Sequence, residues 1–458
     1  MIPFIEVLDR AHSGPICEPK DWDVKLIPLK VREKLKEHGL QNTCDRENPV
    51  NSDDDLADDF WRAGFELAVD LGMICLETKR IIKFTEAEVR EAIRNAPSEI
   101  TIGGIRDRVT IKARAPEDRI VPRFRSGFGT VSEDLIIPLV QGMAQYKVID
   151  TLSPPSLATV LGRPLKSGTP YETLAGPHEA ALVKEGARRA GRPDIPIMGI
   201  ATSPTEHGLM AGYGVPHGLN PPNDLAVVLP ASELKTSYGL LHKVTHVLNH
   251  GGLLYGNHWS IIGGYVGPAE GAAVTAIAAM LLQVLVHRLT ISCGVIFDFR
   301  YAGNVGGEAL WASSVVEQAE NRNTDILVGG ITSQLSGPDT YEILYEMASG
   351  AIEQSVSGCV ANIGNRSAGG KYIDHLSALE QKFSAEVVKA AAGMSRVDAN
   401  EIIKVLLPKY EDKLPRADKG KSFTECMDLK TLKPINGWQE KYDRVWKELE
   451  DLGLPRYY

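Results

Sequence analysis

The sequence predicts an α/β fold, a TIM (β/α)8 barrel that carries an α-rich N-terminal extension and a C-terminal helical tail. From about residue 121, short β-branched segments alternate with longer helical ones, which is typical of a parallel sheet with crossover helices. Eight such units within roughly 270 residues match the size of a TIM barrel. An open doubly wound sheet is the alternative, but no Gly-x-Gly-x-x-Gly follows the first strand. The eight strands are predicted at 123–129, 148–153, 196–202, 225–229, 253–258, 294–300, 326–333 and 358–364.

Residues 1–120 are predicted to form the α-rich extension, packed on the barrel. Helical spacing covers 55–71 and 85–96, and Thr85 followed by Glu88 is the pattern of a capping box at the start of the second helix. Two short strands of this extension are predicted at 99–102 and 108–113, with a Gly-Gly turn between them.

The barrel is predicted to occupy residues 121–396, and residues 397–458 to form a helical arm with a helix at 439–452. The apolar stretch 272–289 contains Thr, Gln, His and Arg side chains and lies between strand-like segments. We therefore predict a buried or interface helix there rather than a membrane span. The helices that separate the barrel strands are predicted at 171–190, 232–249, 269–289, 308–321, 340–354 and 371–392.

The composition is that of an ordinary globular protein, with 43% hydrophobic and 24% charged residues. A net charge of −9 argues against nucleic acid or an anionic membrane as a partner. The six cysteines are scattered and form no Cys-x-x-Cys pair, which is typical of free thiols in a reducing cytoplasm. The first residues show no basic stretch followed by an apolar run, so we expect no signal peptide and a cytoplasmic location.

In a TIM barrel, functional side chains lie at the C-terminal ends of the strands. Asp298 and Arg300 are two residues apart at one such end, so both are expected to face the barrel mouth as candidate catalytic residues. A structural ion pair is an equal alternative, because a buried charged pair needs either a ligand or a partner. Asn257 and His258 are adjacent on another strand, so only one of them can face inward. His258 is a further catalytic candidate, with a hydrogen-bonded structural histidine as the alternative.

Other polar side chains at the predicted strand ends are Thr202, Ser333 and Asn362, which with Asn257 are candidates for substrate binding. A row of three histidines, at positions 242, 246 and 250, has helical spacing. The row has neither the Glu nor the third ligand of a metal-binding helix, and it lies away from the strand ends. We therefore predict no metal site.

The segment from Gly191 to Ser203 is a short apolar strand that ends in hydroxyl residues, and Met198 lies within it. It resembles the strand that carries pyrrolysine in the monomethylamine:corrinoid methyltransferases. In that family a Gly-Arg-Pro precedes pyrrolysine by the same interval and a Gly-x-x-Thr-Ser follows it, so Met198 occupies the pyrrolysine position. Further stretches similar to the family run along nearly the whole chain. They include Asp21-Trp22-Asp23, Arg80-Ile81-Ile82-Lys83, Pro170-Tyr171-Glu172, Gly263-Gly264-Tyr265, Thr324-Asp325-Ile326-Leu327 and Gly420-Lys421-Ser422-Phe423.

This resemblance implies a homo-oligomeric TIM barrel that moves a methyl group from a methylated amine to the Co(I) of a corrinoid. The corrinoid belongs to a separate cognate protein, so no tightly bound cofactor is expected. Pyrrolysine in the family is thought to capture the amine through its electrophilic imine. Methionine has no such electrophilic carbon, so a pyrrolysine-lacking homologue cannot use that capture.

The resemblance also implies a rebuilt substrate site. Two glutamates of the family near pyrrolysine correspond to Val227 and Asn257, and a Gln and a Tyr on a later strand correspond to Ile331 and Ser333. We therefore expect these positions, together with Met198, to contact a methyl donor other than monomethylamine.

The function expected on these grounds is methyl transfer from a small methylated substrate, such as a betaine or another quaternary amine. A quaternary amine leaves as a neutral amine without capture, and aromatic faces suit its charge. Tyr255, Trp259, Tyr265 and Tyr301 are candidates for such faces, and Asp298 is a candidate for a carboxylate beside them. Two alternatives remain open. One is methyl-ether demethylation in the same corrinoid system, with His258 or Asp298 protonating the leaving oxygen. The other is a non-catalytic barrel that binds the corrinoid protein or a small ligand.

Overall fold

The computed structural model describes residues 1–435 and 437–457, and a parallel sheet forms its centre. In chain order the strands are β1 (Met73–Cys75), β2 (Arg80–Ile82), β3 (Glu99–Ile102), β4 (Val109–Lys112), β5 (Arg123–Phe124), β6 (Thr130–Val131), β7 (Ser156–Leu157), β8 (Thr159–Val160), β9 (Arg163–Pro164), β10 (Met198–Gly199), β11 (Leu225–Val228), β12 (Lys235–Thr236), β13 (Leu253–Ile262), β14 (Ile291–Asp298), β15 (Leu327–Thr332) and β16 (Ala361–Asn365). Seven of these strands form the central sheet in the order β10-β11-β13-β14-β15-β16-β5, with every neighbouring pair parallel.

The segment 150–153 supplies the eighth strand and closes the ring. Thr151 bridges Arg125, just after β5, and Leu152 bridges Ile197, just before β10, both in the parallel sense. Backbone hydrogen bonds of 2.9 Å join the segment to both neighbours. Each of the eight predicted strands overlaps a strand of this ring, so the prediction of a TIM barrel is confirmed.

Helices surround the ring, and further helices lie in the segments before and after the barrel strands. The α-helices are α1 (Phe4–Ser13), α2 (Pro19–Asp21), α3 (Ile27–Glu37), α4 (Asp54–Leu71), α5 (Glu86–Asn95), α6 (Ile136–Ala144), α7 (Pro170–Arg189), α8 (His207–Gly212), α9 (Tyr238–Asn249), α10 (Ala269–Val286), α11 (Gly307–Asn323), α12 (Tyr341–Val356), α13 (Ala378–Ala390), α14 (Arg396–Leu406), α15 (Phe423–Cys426) and α16 (Trp438–Asp451). The helix predicted from residue 371 begins only at Ala378. The chain before it turns through left-handed backbone at Gly369 and Gly370, and Ser377 with Glu380 then forms the capping box that starts α13.

The interior of the barrel is filled by side chains from the odd-numbered positions of β11, β13, β14 and β15. Even-numbered positions such as Ala226, Leu254 and Ile296 pack instead with the surrounding helices. The hairpin β3–β4 contributes Ile102 and Ile111 to the interior cluster, so it closes the N-terminal end of the barrel. The barrel strands contribute Met198, Leu225, Val227, Tyr255, Ile291, Cys293, Val295, Leu327, Ile331, Ala361 and Ile363 to the same cluster.

Helix α10, which connects β13 and β14, is buried along its whole length. It is long and apolar enough to cross a membrane, yet all of its residues are buried within the fold, against α4 and α11 among others. A helix that is apolar on all sides is stable in water only when it is covered all round. The predicted buried helix is therefore observed. The capping box of α5 is also present, since Thr85 Oγ1 accepts from the Glu88 N–H at 3.3 Å and the Glu88 carboxylate accepts from the Thr85 N–H at 2.8 Å.

The C-terminal residues pack on the barrel helices. Tyr442 and Trp446 of α16 are fully buried and contact the Phe383 ring of α13 edge-on, with ring centroids 5.7 Å apart in both pairs. The aromatic face of α16 thus covers part of the helical layer, as expected for a packing arm. The division of the chain at residues 120 and 396 stays a prediction.

Candidate functional site

A cavity of about 200 Å³ lies at the C-terminal ends of the barrel strands, where the sequence places function. It is smaller than the pockets that bury drug-sized ligands, so it suits a molecule of few heavy atoms. Arg125 is 5% exposed and Leu229 is 53% exposed, which places Arg125 at the floor and Leu229 at the rim. The residues that line the cavity are Arg125, Phe128, Ser156, Ala201, Val227, Leu229, Tyr255, Asn257, Trp259 and Ile331.

Strand alternation explains one wall of the cavity. Along β13 the side chains of Tyr255, Asn257 and Trp259 face the cavity, and the residues between them face the helices. The Trp259 ring contacts the Phe297 ring of β14 edge-on, with centroids 5.1 Å apart. The Asn257 side chain is 3% exposed, and its Nδ2 has no hydrogen-bond partner among the described residues. This wall therefore combines apolar ring faces with an unused amide donor.

The floor of the cavity holds the guanidinium of Arg125, which is bonded to neutral groups. Its Nη2 donates to the Met198 carbonyl oxygen (3.0 Å) and to the Tyr255 hydroxyl (2.6 Å), and its Nη1 donates to the Ile363 carbonyl oxygen. Its Nε has no hydrogen-bond partner among the described residues. Burial lowers the pKa of Arg125, although a guanidinium remains charged in proteins. Gly364 leaves room for this group, since a Cβ there would lie 3.1 Å from Nη1.

A second arginine, Arg366, lies beside the Trp259 wall. Its guanidinium carbon is 5.7 Å from the Trp259 ring centroid and 5.6 Å from that of Phe297. Its Nη2 donates weakly to the Ala302 carbonyl oxygen at 3.4 Å, and its Nε has no partner within the described chain. None of the lining residues is acidic. The surroundings of the cavity are therefore positively charged.

Met198 lies directly under the floor and is 1% exposed. Its Sδ is 3.4 Å from Thr151 Oγ1, and its carbonyl oxygen accepts from the Arg125 guanidinium and from the Tyr255 hydroxyl, both at 3.0 Å. The side chain thus fills the barrel interior, while the backbone at this position is tied to the floor of the cavity.

The structure brings together four of the predicted site residues. Tyr255, Asn257 and Ile331 line the cavity, and Met198 lies beneath it. The other predicted side chains do not line the cavity.

Asp298 faces the helical layer instead of the barrel mouth. On β14 the odd positions are interior, so Phe297 lies on the cavity side and Asp298 on the opposite side; the predicted orientation is wrong. Arg300 lies beyond the end of β14 and is 59% exposed at its side chain, so alternation does not reach it. Its guanidinium pairs with Asp298 and Glu308 and lies 5.7 Å from the Tyr301 ring centroid. The geometry is that of the structural ion pair, the alternative considered for this motif.

His258 and Asn362 also face away from the cavity. His258 Nε2 accepts from the Leu234 N–H at 3.0 Å, and burial lowers the pKa of His258 to about 3. The imidazole is therefore neutral and structural near pH 7. Asn362 donates from Nδ2 to Gln354 of α12 at 2.7 Å. Neither side chain can reach a ligand in the cavity without repacking of the helical layer.

Thr202 and Ser333 take part in backbone support. Thr202 Oγ1 accepts from the Leu157 N–H at 2.8 Å, and the Thr202 N–H donates to Glu179 of α7 at 2.6 Å. The Ser333 N–H donates to Asn304 Oδ1 at 2.6 Å, and the Ser333 hydroxyl is fully buried. The Thr202 side chain thus supports neighbouring backbone near the cavity without lining it, whereas the Ser333 hydroxyl has no hydrogen-bond partner among the described residues.

The most informative lining residue, Arg125, is absent from the sequence-derived candidates. Its signal was available, because a charged residue near the C-terminal end of a buried barrel strand needs a partner or a ligand. Phe128, Ser156 and Ala201 carry no such signal. Ala201 lies at the cavity because the Glu179 carboxylate accepts its N–H at 2.9 Å, a contact between distant segments.

Comparisons with known proteins give one consistent result. The family model described as Monomethylamine methyltransferase MtmB matches residues 2–454. The MtmB of Methanosarcina mazei is 30% identical over 452 residues, covering 97% of each chain, and the MtmB1 of Methanosarcina acetivorans is 31% identical with the same coverage. The crystal structure of the Methanosarcina barkeri monomethylamine methyltransferase has a TM-score of 0.94 to this chain at 29% identity, covering 99% of this chain and 98% of that one.

Proposed function

Because the chain belongs to the monomethylamine methyltransferase MtmB family, we propose that it is a corrinoid-dependent methyltransferase whose methyl donor is a quaternary amine such as a betaine. The acceptor is the Co(I) of a corrinoid carried by a separate cognate protein, so the chain itself holds no tightly bound cofactor. We further propose that the protein is a cytoplasmic homo-oligomer, in keeping with its free cysteines and with the family resemblance.

The observation that carries this proposal is the side chain at position 198. Where the resemblance places an electrophilic pyrrolysine, this chain has a buried methionine packed against Thr151. A thioether presents no carbon that an amine can attack. Capture of monomethylamine at this position is therefore chemically unavailable, and the donor must be one that needs no capture.

A quaternary amine meets that requirement. The methyl carbon forms a bond to cobalt as its bond to nitrogen breaks, and the electron pair of the C–N bond leaves on a neutral tertiary amine. The two electrons of the new Co–C bond come from Co(I), which becomes methyl-Co(III). No proton has to be supplied, which agrees with a lining that contains no acid.

The cavity offers the contacts such a donor needs. Tyr255 and Trp259 present aromatic rings, which attract quaternary ammonium groups. Val227 and Ile331 present apolar surface for the methyl groups, and Asn257 offers an amide. In this proposal the binding residues are the lining side chains, and Met198 supports them from below.

Demethylation of an ether is less favoured by the same geometry. It requires a proton donor close to the leaving oxygen. The two acids considered for that task, His258 and Asp298, both face the helices, and His258 is neutral near pH 7. A quaternary amine remains the donor class that the described cavity suits best.

Methyl transfer to a corrinoid protein tests the proposal. The reduced corrinoid protein encoded nearest to this gene is mixed with the chain and with one donor at a time, and the loss of the Co(I) absorption band is followed. We expect methyl-Co(III) with glycine betaine or a related quaternary amine, no reaction with monomethylamine, and no reaction when the chain is left out. Two results would contradict the proposal. One is methyl transfer from monomethylamine, and the other is no methyl transfer from any quaternary amine although the corrinoid protein binds the chain.

A further inference from the structure

The cavity contains more hydrogen-bond donors than it can satisfy internally. A guanidinium carries five N–H bonds, and Arg125 uses three of them, all on neutral oxygens. The Nε of Arg125 and the Nδ2 of Asn257 are both buried without a partner in the described chain. Burying such groups unpaired is unfavourable, so a ligand that accepts hydrogen bonds is the expected occupant.

The charge of the cavity points to the same kind of ligand. Desolvation lowers the pKa of Arg125 and of Arg366, and among the described residues no carboxylate offsets this lowering for either arginine. The buried carboxylate of Glu179 in α7, which helps to raise the pKa of Tyr255, accepts from the N–H groups of Ala201 and Thr202. A cation without an anionic part would enter this positive surrounding against electrostatic repulsion.

The polar and apolar parts of the cavity are separated in depth. Arg125 is at the floor, whereas Trp259 and Leu229 are more exposed toward the rim. The opposite end of the barrel is closed by the β3–β4 hairpin, so a ligand enters from the rim. A zwitterion with a carboxylate at one end and a quaternary nitrogen at the other matches this arrangement.

We infer that Arg125 is a specificity-determining residue that binds a carboxylate of the methyl donor, with Asn257 as a second donor. This inference narrows the substrate class to methylated compounds that carry a carboxylate, such as betaines. It excludes methyl donors that carry a positive charge and no negative one. The inference rests on the proposed methyl transfer. It also gives the donor an orientation, since a carboxylate on the floor turns the methylated nitrogen toward the rim, where the methyl acceptor must approach.

Binding to the chain alone tests this inference separately from catalysis. Titration calorimetry compares three probes, which are glycine betaine, the amide of glycine betaine and tetramethylammonium. The amide keeps the shape and the quaternary nitrogen but has no negative charge. We expect glycine betaine to bind at least about tenfold more tightly than either cation, because charge-assisted hydrogen bonds to a buried guanidinium are strong. Equal affinity for the amide, or no binding of glycine betaine, overturns the inference.

Variants of Arg125 locate the effect. In Arg125→Met we expect the preference for glycine betaine over its amide to fall at least about tenfold. In Arg125→Lys we expect this preference to fall less, because lysine keeps the positive charge but lacks the planar guanidinium that can donate two parallel hydrogen bonds. Arg123→Met is the matched control, because Arg123 lies two residues earlier, in β5, and its Nε donates to the Thr110 carbonyl oxygen outside the cavity. It should keep the full preference. If Arg125→Met does not fold, the three probes with the unaltered chain still decide the matter.

Different experimental results would reject the carboxylate site and the proposed methyl transfer. Selective binding of glycine betaine without methyl transfer would retain the carboxylate site and reject the enzyme. Methyl transfer from tetramethylammonium at the same rate as from glycine betaine would retain the enzyme and reject the carboxylate site.

Discussion

Replacing Met198 by leucine should leave methyl transfer almost unchanged, because the side chain fills space and does no chemistry. Met198 is 1% exposed and belongs to the apolar cluster of the barrel interior. Leucine has a similar volume, and such swaps in a core cost less than about 1.5 kcal/mol of unfolding free energy. The hydroxyl of Thr151, 3.4 Å from Sδ, would lose a weak acceptor, which adds roughly 1 kcal/mol at most. Truncation in Met198→Ala should cost about 2–5 kcal/mol, since it leaves a cavity.

Two measurements on each variant check this reasoning. Urea unfolding gives the change in unfolding free energy, and the methylation assay gives the rate per folded molecule with the best donor. We expect Met198→Leu to keep that rate within about twofold and Met198→Ala to lose stability first. A folded Met198→Leu with no methyl transfer would mean that the sulfur takes part in the reaction. An alanine variant as stable as the parent would mean that the side chain does not fill the interior.

Three further outcomes concern groups outside the cavity. His258→Ala should lower the unfolding free energy by about 1–3 kcal/mol, since the buried Leu234 N–H loses its acceptor, while the methylation rate of the folded protein is retained. Asp298→Ala should lower it by only about 1 kcal/mol, because the freed Arg300 is 59% exposed; loss of methyl transfer with the fold intact would restore its catalytic candidacy. Burial raises the pKa of Glu346 to about 7, so its contribution to stability is complete below the unfolded pKa of about 4.3 and is lost as the pH rises through about 7. Urea unfolding should therefore show stability falling between about pH 4 and pH 7, with a smaller fall in Glu346→Gln.

The barrel could be predicted because its strands are marked locally. Most of the eight segments are short, apolar and rich in β-branched residues, and helical segments separate most of them, so both their number and their parallel arrangement follow from the chain. The segment 150–153 is informative in this respect. It makes only bridges to its neighbours, yet its sequence pattern predicts a strand that closes the ring.

The site was harder to predict because strand alternation must be placed in register before any side chain can be assigned to a face. On β14 two phases are possible from sequence, and the sequence interpretation places the charged Asp298 inward, whereas the structure places Cys293 and Val295 in the interior. The correct phase depends on the packing of Ile296 against the helices, which is a contact between distant segments. Residues such as Ala201 lie at the cavity for similar non-local reasons.

The contacts of Arg125 also explain why position 198 can change its side chain without losing the site. Arg125 and Tyr255 hold the backbone carbonyl of residue 198, and neither of them bonds to its side chain. Any side chain that fills the interior therefore leaves the floor of the cavity in place. The unused N–H groups that would donate hydrogen bonds to a carboxylate stay there as well. It follows that the chemistry at position 198 and the carboxylate preference of Arg125 are separable. Met198→Leu should alter neither the rate nor the preference, whereas Arg125→Met should remove the preference even where Met198 is unchanged.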